Sequence, residues 1–299
     1  EVIGETILNN TVILILITCI MSGYITQKAA RKVHLEVSET HPDEPGPRQK
    51  LLVPISNPAN MENLLAFATL IKTEEVRQPI HPLTVYTDRT LAAEKIDESR
   101  ERINNTIRSL HTEIQFEPTY RIDINVTNGI IRAADEVVAT AIIMGWAKPS
   151  TTWGMLFGSI LEHRLNRTEI MVMVLNVPFS FRGIRRIYLN CPPDAHFEKG
   201  FHAWLDTMTI LARKIQTRIW ISSESSGTLE AIRSWNEQKK TGHLFEYRTN
   251  KREYDSGDLL VFVHARKKSL SYNRQYEHFV DSNLESARNC DILIIYPQQ

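Results

Sequence analysis

Cysteine is scarce in this sequence, and the patterns that would give it a structural role are missing. The 299 residues include three cysteines, Cys19, Cys191 and Cys290, and no two of them form a CxxC pair. Widely spaced single cysteines are typical of reduced thiols in a cytosolic setting, which argues against a disulfide framework or a zinc ribbon. The ten histidines likewise show no HExxH or similar spacing, so we expect no metal site.

The sequence also lacks an excess of charge of either sign. Lysine and arginine together number 35, and aspartate and glutamate together also number 35. A protein that binds nucleic acid through a basic field needs a surplus of cations, so we expect no nucleic-acid partner. There is no GxSxG motif, and no serine or cysteine has a recognisable base near it in sequence. We expect no catalytic residues and a protein that is not an enzyme.

One long stretch contains no ionisable acid or base. It runs from Thr6 to Gln27, and in a helix it would extend about 33 Å, enough to cross the hydrocarbon core of a bilayer. The basic residues Lys28, Arg31 and Lys32 follow it, which predicts that the chain after about residue 30 is cytoplasmic. The alternative is a buried or partner-packed amphipathic helix of a soluble protein. The polar side chains within the run, such as Asn9 and Asn10, are more typical of a helix packed inside a multi-helix membrane bundle than of a single-pass anchor.

Beyond this hydrophobic helix, assigned to residues 1–35, the chain divides into a linker and two similar halves. Residues 36–49 are polar and rich in proline, as in a linker. In residues 50–178 short apolar runs alternate with amphipathic stretches in a βαβαβαβαβ order, which predicts a parallel sheet covered on both faces. Residues 184–299 repeat this plan, although the connection between their third and fourth strands is too short for a crossover helix. We expect an α/β fold of two tandem domains, each with a five-stranded parallel sheet.

The segment after the fourth predicted strand has the spacing of a phosphate-binding loop. Two residues separate Gly145 from Lys148, nine more lead to Gly158, and Ser159 comes next. In the universal stress protein family this loop reads G-x2-G-x9-G-[ST] after the fourth of five parallel strands. The sequence resembles that family over residues 50–176, and its second half does so more weakly. The resemblance implies the adenine nucleotide alpha hydrolase-like fold for both halves.

The resemblance also implies a candidate site for ATP, ADP or AMP. Its residues are Ser56, Asn57, Gly145, Lys148, Gly158 and Ser159. Lys148 stands at the family's second glycine, and Pro149 after it has no backbone donor. Ser56 and Asn57 follow the first strand, where nucleotide-binding members carry an aspartate that contacts the nucleoside. The alternative is a loop whose glycines serve packing and which binds no nucleotide.

The second half has no such loop. The corresponding segment contains no glycine, and the run Arg266, Lys267 and Lys268 predicts a solvated basic cluster. We therefore expect that this half does not bind a nucleotide in the manner of the family.

The apolar helix followed by tandem domains resembles the C-terminal part of a monovalent cation:proton antiporter. In that family the last transmembrane helix commonly ends with a Thr-Cys pair, here Thr18-Cys19, and a basic tail containing alanine, here residues 28–32. The resemblance implies a cytoplasmic regulatory or interaction region of a sodium or potassium:proton antiporter in the cell inner membrane. The transport residues would lie upstream of Glu1, and the partners would be the upstream helices, the membrane and a second copy in a homodimer. The alternatives are a stand-alone universal stress protein that binds ATP or AMP, and a dimerisation scaffold without a ligand.

Overall fold

The structure, a computed structural model, describes most of the chain from residue 49 onward. The described residues are Thr18 and 49–73, 77–146, 170–176, 181–247, 254–266, 269–286 and 290–298. From Arg48 to Gln299 the chain forms one compact unit. Within the described residues no helix is both long and apolar enough to cross a membrane. The hydrophobic helix predicted over residues 1–35 lies outside them, apart from Thr18.

The strands of the described residues form a single sheet. In chain order they are β1 (Leu51–Pro54), β2 (Ile80–Tyr86), β3 (Thr119–Ile122), β4 (Ala141–Gly145), β5 (Met171–Asn176), β6 (Arg186–Cys191), β7 (Ile219–Ser223), β8 (Phe245–Tyr247), β9 (Asp258–Val263) and β10 (Asp291–Tyr296). Across the sheet their order is β3-β2-β1-β4-β5-β10-β9-β6-β7-β8. Neighbouring strands are parallel except β5 and β10, which are antiparallel. The predicted α/β class is confirmed.

The two halves of the sheet have the same topology. The first reads β3-β2-β1-β4-β5 and the second β8-β7-β6-β9-β10, which is what duplication of one unit would give. The sequence predicted a separate five-stranded sheet for each half, whereas the structure joins them into one sheet of ten strands. At the junction Leu293 of β10 lies opposite Leu175 of β5, and Ile295 lies opposite Met173. Both strands are apolar on both faces. Their pairing gives hydrogen-bond partners to the backbone N–H and C=O groups that would be unpaired if each strand were an exposed edge.

Helices cover both faces of the sheet. In the described residues they are α1 (Met61–Ile71), α2 (Arg89–Ser109), α3 (Val126–Val137), α4 (Phe201–Lys214), α5 (Ser226–Lys239) and α6 (Arg274–Ser286). Capping side chains explain where several of them begin: Asp88, Asn125 and Ser225 each accept a hydrogen bond from a backbone N–H in the first turn of α2, α3 and α5.

The core consists of two apolar layers, one on each face. On one face Phe67 of α1 and Trp204 of α4 are fully buried in a cluster that includes side chains from both halves. On the other face Ile130 of α3 and Val280 of α6 are buried in a second cluster. Because each layer runs across the β5–β10 junction, the two halves share their core.

Candidate functional site

A crevice of about 370 Å³ opens at the carboxyl ends of β1 and β2. Its floor includes Ile55 and Ser56, which follow β1, and Val85 near the end of β2. Open α/β sheets bind ligands at this edge, near the point where the strand order changes direction, here between β1 and β4. The crevice is therefore the candidate binding site of the first half.

Ser56 and Asn57 have different positions relative to the crevice. Both are exposed, but Ser56 lines the crevice whereas Asn57 begins the next turn of chain. The side-chain oxygen of Asn57 accepts a hydrogen bond of 3.0 Å from the backbone nitrogen of Ala59. It thereby caps a short 3-10 helix, Pro58–Asn60, that leads directly into α1. Asn57 caps the turn that leads into α1, and Ser56 is the residue of the pair that lines the crevice.

Gly145 is the last residue of β4 and lies beside the start of α1. A Cβ atom added there would be 3.4 Å from Nδ2 of Asn60 and from Cδ1 of Leu64, which is ordinary van der Waals contact. The backbone of Gly145 has no positive φ angle. The backbone conformation at position 145 therefore does not require glycine. Gly145 is notable only because it lies next to the start of α1. Lys148, Gly158 and Ser159 lie outside the described residues.

One wall of the crevice belongs to α2 and carries charge. Lys95, Ser99 and Arg102 line it, at a spacing that places them on one face of the helix. The hydroxyl of Tyr86 donates to Oγ of Ser99 at 2.7 Å and so connects this wall to β2. Sequence reasoning missed these residues, because α2 is strongly charged throughout and its lysines and arginines look like a solvated surface.

The opposite wall is apolar. Val126 and Ile130 of α3 line it, four residues apart and thus one above the other on the helix. Together with Ile55 and Leu83 they give the crevice an apolar interior suited to a ring or another flat hydrophobic group.

The corresponding edge of the second half is filled by its own chain. After β6 a short 3-10 helix, Ala195–Phe197, places Nδ1 of His196 3.1 Å from Oγ1 of the fully buried Thr228 at the start of α5. The hydroxyl of Tyr276 in α6 donates to the backbone carbonyl of Asn190 at 2.7 Å, where a ligand would otherwise approach β6.

Arg266 does not belong to a solvated cluster, and the prediction is wrong for this residue. It is 4% exposed, and its Nη2 donates to the backbone carbonyl of Ile170 at 2.7 Å. Burial lowers the pKa of its guanidinium group. The reason is the β5–β10 junction, which brings the residue just before β5 next to the segment that follows β9. Lys267 and Lys268 lie outside the described residues.

Comparison with known sequences identifies a family domain and a similar antiporter. The pattern of the universal stress protein family matches residues 47–176, so a domain of this family is present in the first half. The Na(+)/H(+) antiporter NhaS5 of Synechocystis sp. (strain ATCC 27184 / PCC 6803 / Kazusa) is 27% identical over 211 residues. The match covers 62% of this chain and 30% of the antiporter, so the chain spans less than a third of that relative.

Comparison with solved structures supports the fold of the whole described region. The cytoplasmic domain of a prokaryotic cation chloride cotransporter is similar with a TM-score of 0.56 and 9% identity, covering 84% of this chain and 96% of that domain. A universal stress protein from Archaeoglobus fulgidus is similar with a TM-score of 0.51 and 14% identity, covering 84% and 97%. Each of these similarities extends over both halves of the sheet.

Proposed function

We propose, from the universal stress protein domain at residues 47–176 and the similarity to an antiporter, that this chain contains the cytoplasmic regulatory or interaction region of a sodium or potassium:proton antiporter. The observation that carries the proposal is the 211-residue similarity to NhaS5. The fold shared with the cytoplasmic domain of a cation chloride cotransporter supports it, since that domain also serves a membrane transporter. In this proposal the region is not an enzyme. Residues 6–27 cross the inner membrane, and transport belongs to further membrane helices.

The ligand of the region, in this proposal, is an adenine nucleotide bound in the crevice at β1 and β2. Ser56 supplies a hydroxyl, the apolar interior accepts the base, and Gly145 lies on the neighbouring strand beside the same helix start. Each chain binds one nucleotide, because contacts within the second half fill the corresponding edge.

The helix α1 connects this crevice to the linker. Its first residue, Met61, lines the crevice, and its last turn contacts Gln49, at the end of the linker. The side-chain amide of Gln49 donates to the carbonyl of Ile71 at 2.9 Å, and the backbone carbonyl of Gln49 accepts from Nζ of Lys72 at 2.7 Å. A ligand that binds one position of α1 more tightly than another would therefore act on the linker.

Calorimetric titration of the 299-residue chain with ATP, ADP and AMP tests the ligand. We expect a saturable heat with one site per chain, lost in Ser56→Phe because the larger side chain enters the crevice. The matched control is Ser109→Phe, since Ser109 is exposed at the end of α2 and does not line the crevice. If no nucleotide gives heat at millimolar concentration, the chain is not a nucleotide sensor.

Ion exchange in membrane vesicles tests the coupling. Residues 36–48 are replaced by a long glycine- and serine-rich linker in the membrane protein that contains this chain. We expect exchange to persist and to lose its response to nucleotide, because a flexible linker transmits no displacement of α1. Intact regulation with this linker would reject the coupling.

A homodimer is the remaining part of the proposal. Since β10 occupies the edge of β5 within the chain, a second copy has to contact another surface. Sedimentation equilibrium of the purified chain distinguishes a dimer from a monomer.

A further inference from the structure

One edge of the sheet combines the amino ends of the first-half strands with the carboxyl ends of the second-half strands, because β5 and β10 are antiparallel. Hydrogen bonds follow this edge from strand to strand. The backbone N–H of Lys50, just before β1, donates to Oγ1 of Thr140, just before β4, at 3.0 Å. Arg266, which follows β9, donates to the carbonyl of Ile170, just before β5, at 2.7 Å. This is the linker edge, since the linker enters the fold there at Gln49.

Two large apolar side chains of the second half are exposed at the linker edge. Leu270, in the segment after β9, is 78% exposed, and Phe197, in the segment after β6, is 63% exposed. Oε1 of Glu198 accepts a hydrogen bond of 2.8 Å from the backbone nitrogen of Ser271, so the two segments lie side by side. The ring of His196 packs against Phe197 with 3.9 Å between the ring centroids. Single exposed apolar residues are common, but these two are held in neighbouring segments at the same edge.

The first half adds a third exposed apolar side chain to this edge. Val138, two residues before Thr140, is 44% exposed. It ends α3 in the left-handed conformation, with a φ angle of 52°. Glycine or asparagine is usual at such a position, and a β-branched residue rarely adopts this conformation. The linker edge therefore keeps an apolar side chain in solvent at a position where a small or polar residue would be less strained.

The linker edge is also the side of the sheet from which the chain continues toward the membrane. Thirteen residues, 36–48, separate the predicted hydrophobic helix from Gln49, and a chain of that length spans at most about 45 Å. If residues 6–27 cross the bilayer, as proposed, this edge is tethered close to the lipid surface. The exposed charged residues next to Phe197, Asp194 and Lys199, have opposite signs. Attraction to a bilayer would therefore come from the apolar side chains.

We propose that Phe197 and Leu270 dock the linker edge on the lipid surface of the membrane, with their side chains at the boundary between headgroups and acyl chains. The inference rests on the proposed function, which supplies the membrane span, and adds an interaction surface that is separate from the crevice. Apolar side chains bind this boundary in proportion to the area that they bury there.

Fluorescence quenching by lipid tests the contact in the 299-residue chain, reconstituted in phosphatidylcholine vesicles that contain a spin-labelled lipid. An environment-sensitive fluorophore is attached to Leu270→Cys in a Cys19→Ser background, since Cys191 and Cys290 are buried. The matched control is Ile124→Cys. Ile124 is 83% exposed and follows β3, at the opposite edge of the first half.

We expect the lipid spin label to quench the fluorophore at position 270 at least about fivefold more than at position 124. Phe197→Ser should lower the quenching at position 270 at least about twofold, whereas Phe197→Leu should keep it because the apolar contact remains. The quenching should persist at high salt, because the charges beside Phe197 have opposite signs. Unchanged urea midpoints show that the variants are folded.

Extraction of the vesicles with alkaline carbonate separates this inference from the proposed function. If the chain resists extraction but position 270 is quenched no more than position 124, the membrane span stands and the inference is overturned. If the chain is extracted, yet position 270 is quenched beforehand and Phe197→Ser reduces the quenching, the span is rejected and the lipid contact stands. A blue-shifted but unquenched fluorophore at position 270 would show contact with protein instead of lipid, and would also overturn the inference.

Discussion

Lys214 of α4 donates a hydrogen bond of 2.8 Å to the backbone carbonyl of Lys72, the residue that follows α1. The same Nζ also donates to the carbonyl of Thr69 at 3.2 Å. The last carbonyls of a helix have no partner within the helix, and here a side chain from the other half of the molecule supplies one. The end of α1 that holds the linker is thus fixed by the second half.

We predict that Lys214→Met lowers the free energy of unfolding by about 1–2 kcal/mol, because the two carbonyls lose their donor while most of the apolar packing remains. Urea denaturation of the variant and of the unmodified chain measures the difference. Arg213→Met is the control, since Arg213 is exposed in the same turn of α4 and should change stability by less than about 0.5 kcal/mol. Equal losses in both variants would contradict the role of the bonds.

Lys72 should make stability depend on alkaline pH. Its side chain is 1% exposed, and burial lowers its pKa from 10.5 to about 8. Below about pH 8 the lysine is protonated in both the folded and the unfolded chain. Between about pH 8 and 10.5 the unfolded chain binds more protons, so the contribution of Lys72 to the free energy of unfolding increases with pH.

The measurement is urea denaturation at about pH 7.5 and about pH 9.5, for the unmodified chain and for Lys72→Met. We expect the stability of the unmodified chain, relative to the variant, to be greater at the higher pH. Comparing the two proteins at each pH removes the effect on stability of the tyrosines and cysteines that titrate in both. The same difference at both pH values would show that Lys72 does not titrate in this range.

Asp258 should be indispensable for the second half. It is fully buried, and its two carboxylate oxygens accept from Nε and Nη2 of Arg186 at 2.6 and 2.9 Å. Asp258→Asn leaves the guanidinium group without its counter-charge, and we expect a loss of about 3–5 kcal/mol in the free energy of unfolding. The neighbouring Asp255, whose pair with Arg185 is exposed, is the control, and Asp255→Asn should lower the free energy of unfolding far less. Urea denaturation of both variants measures the two losses of stability. Equal losses would contradict the special role of Asp258.

The C-terminal residues should be sensitive to a methyl group at Gly200. A Cβ atom there would lie 2.6 Å from the backbone nitrogen and 2.7 Å from the backbone oxygen of Gln298. Gly200→Ala therefore has to displace backbone, and we expect a loss of about 1–3 kcal/mol in thermal or urea unfolding. At Gly242 an added Cβ meets nothing within 4 Å, so Gly242→Ala should be close to neutral. A neutral result at both positions would contradict this packing.

The sequence predicts the strands of this fold well where they are short, continuous apolar runs. The predicted runs at residues 50–55, 169–177 and 291–297 contain the buried strands β1, β5 and β10, because parallel strands covered on both faces are apolar throughout. Such a run does not specify its neighbour, and so the antiparallel pairing of β5 with β10 could not be predicted. The sequence predicts a third strand over residues 114–123, which is too long, since β3 covers only Thr119–Ile122. It begins after Pro118, which has no N–H for the ladder.

The candidate site could be predicted only in part. Ser56 lies in the crevice because it comes two residues after β1, and the carboxyl ends of strands can be identified from the pattern of apolar runs. The cations of α2 could not be recognised, because their spacing shows which helix face they share but not what that face meets. Arg266 shows the same limit, since its burial depends on a partner strand that is distant in sequence.

The β5–β10 junction also determines how the two halves can differ. In an assembly of two identical subunits every substitution occurs twice, and both sites change together. In a single chain the two halves always meet at a high effective concentration, whatever the amount of protein present. His196 can therefore contact Thr228 at one edge while the crevice beside Ser56 stays open, so the two carboxyl-end edges of a symmetric sheet differ.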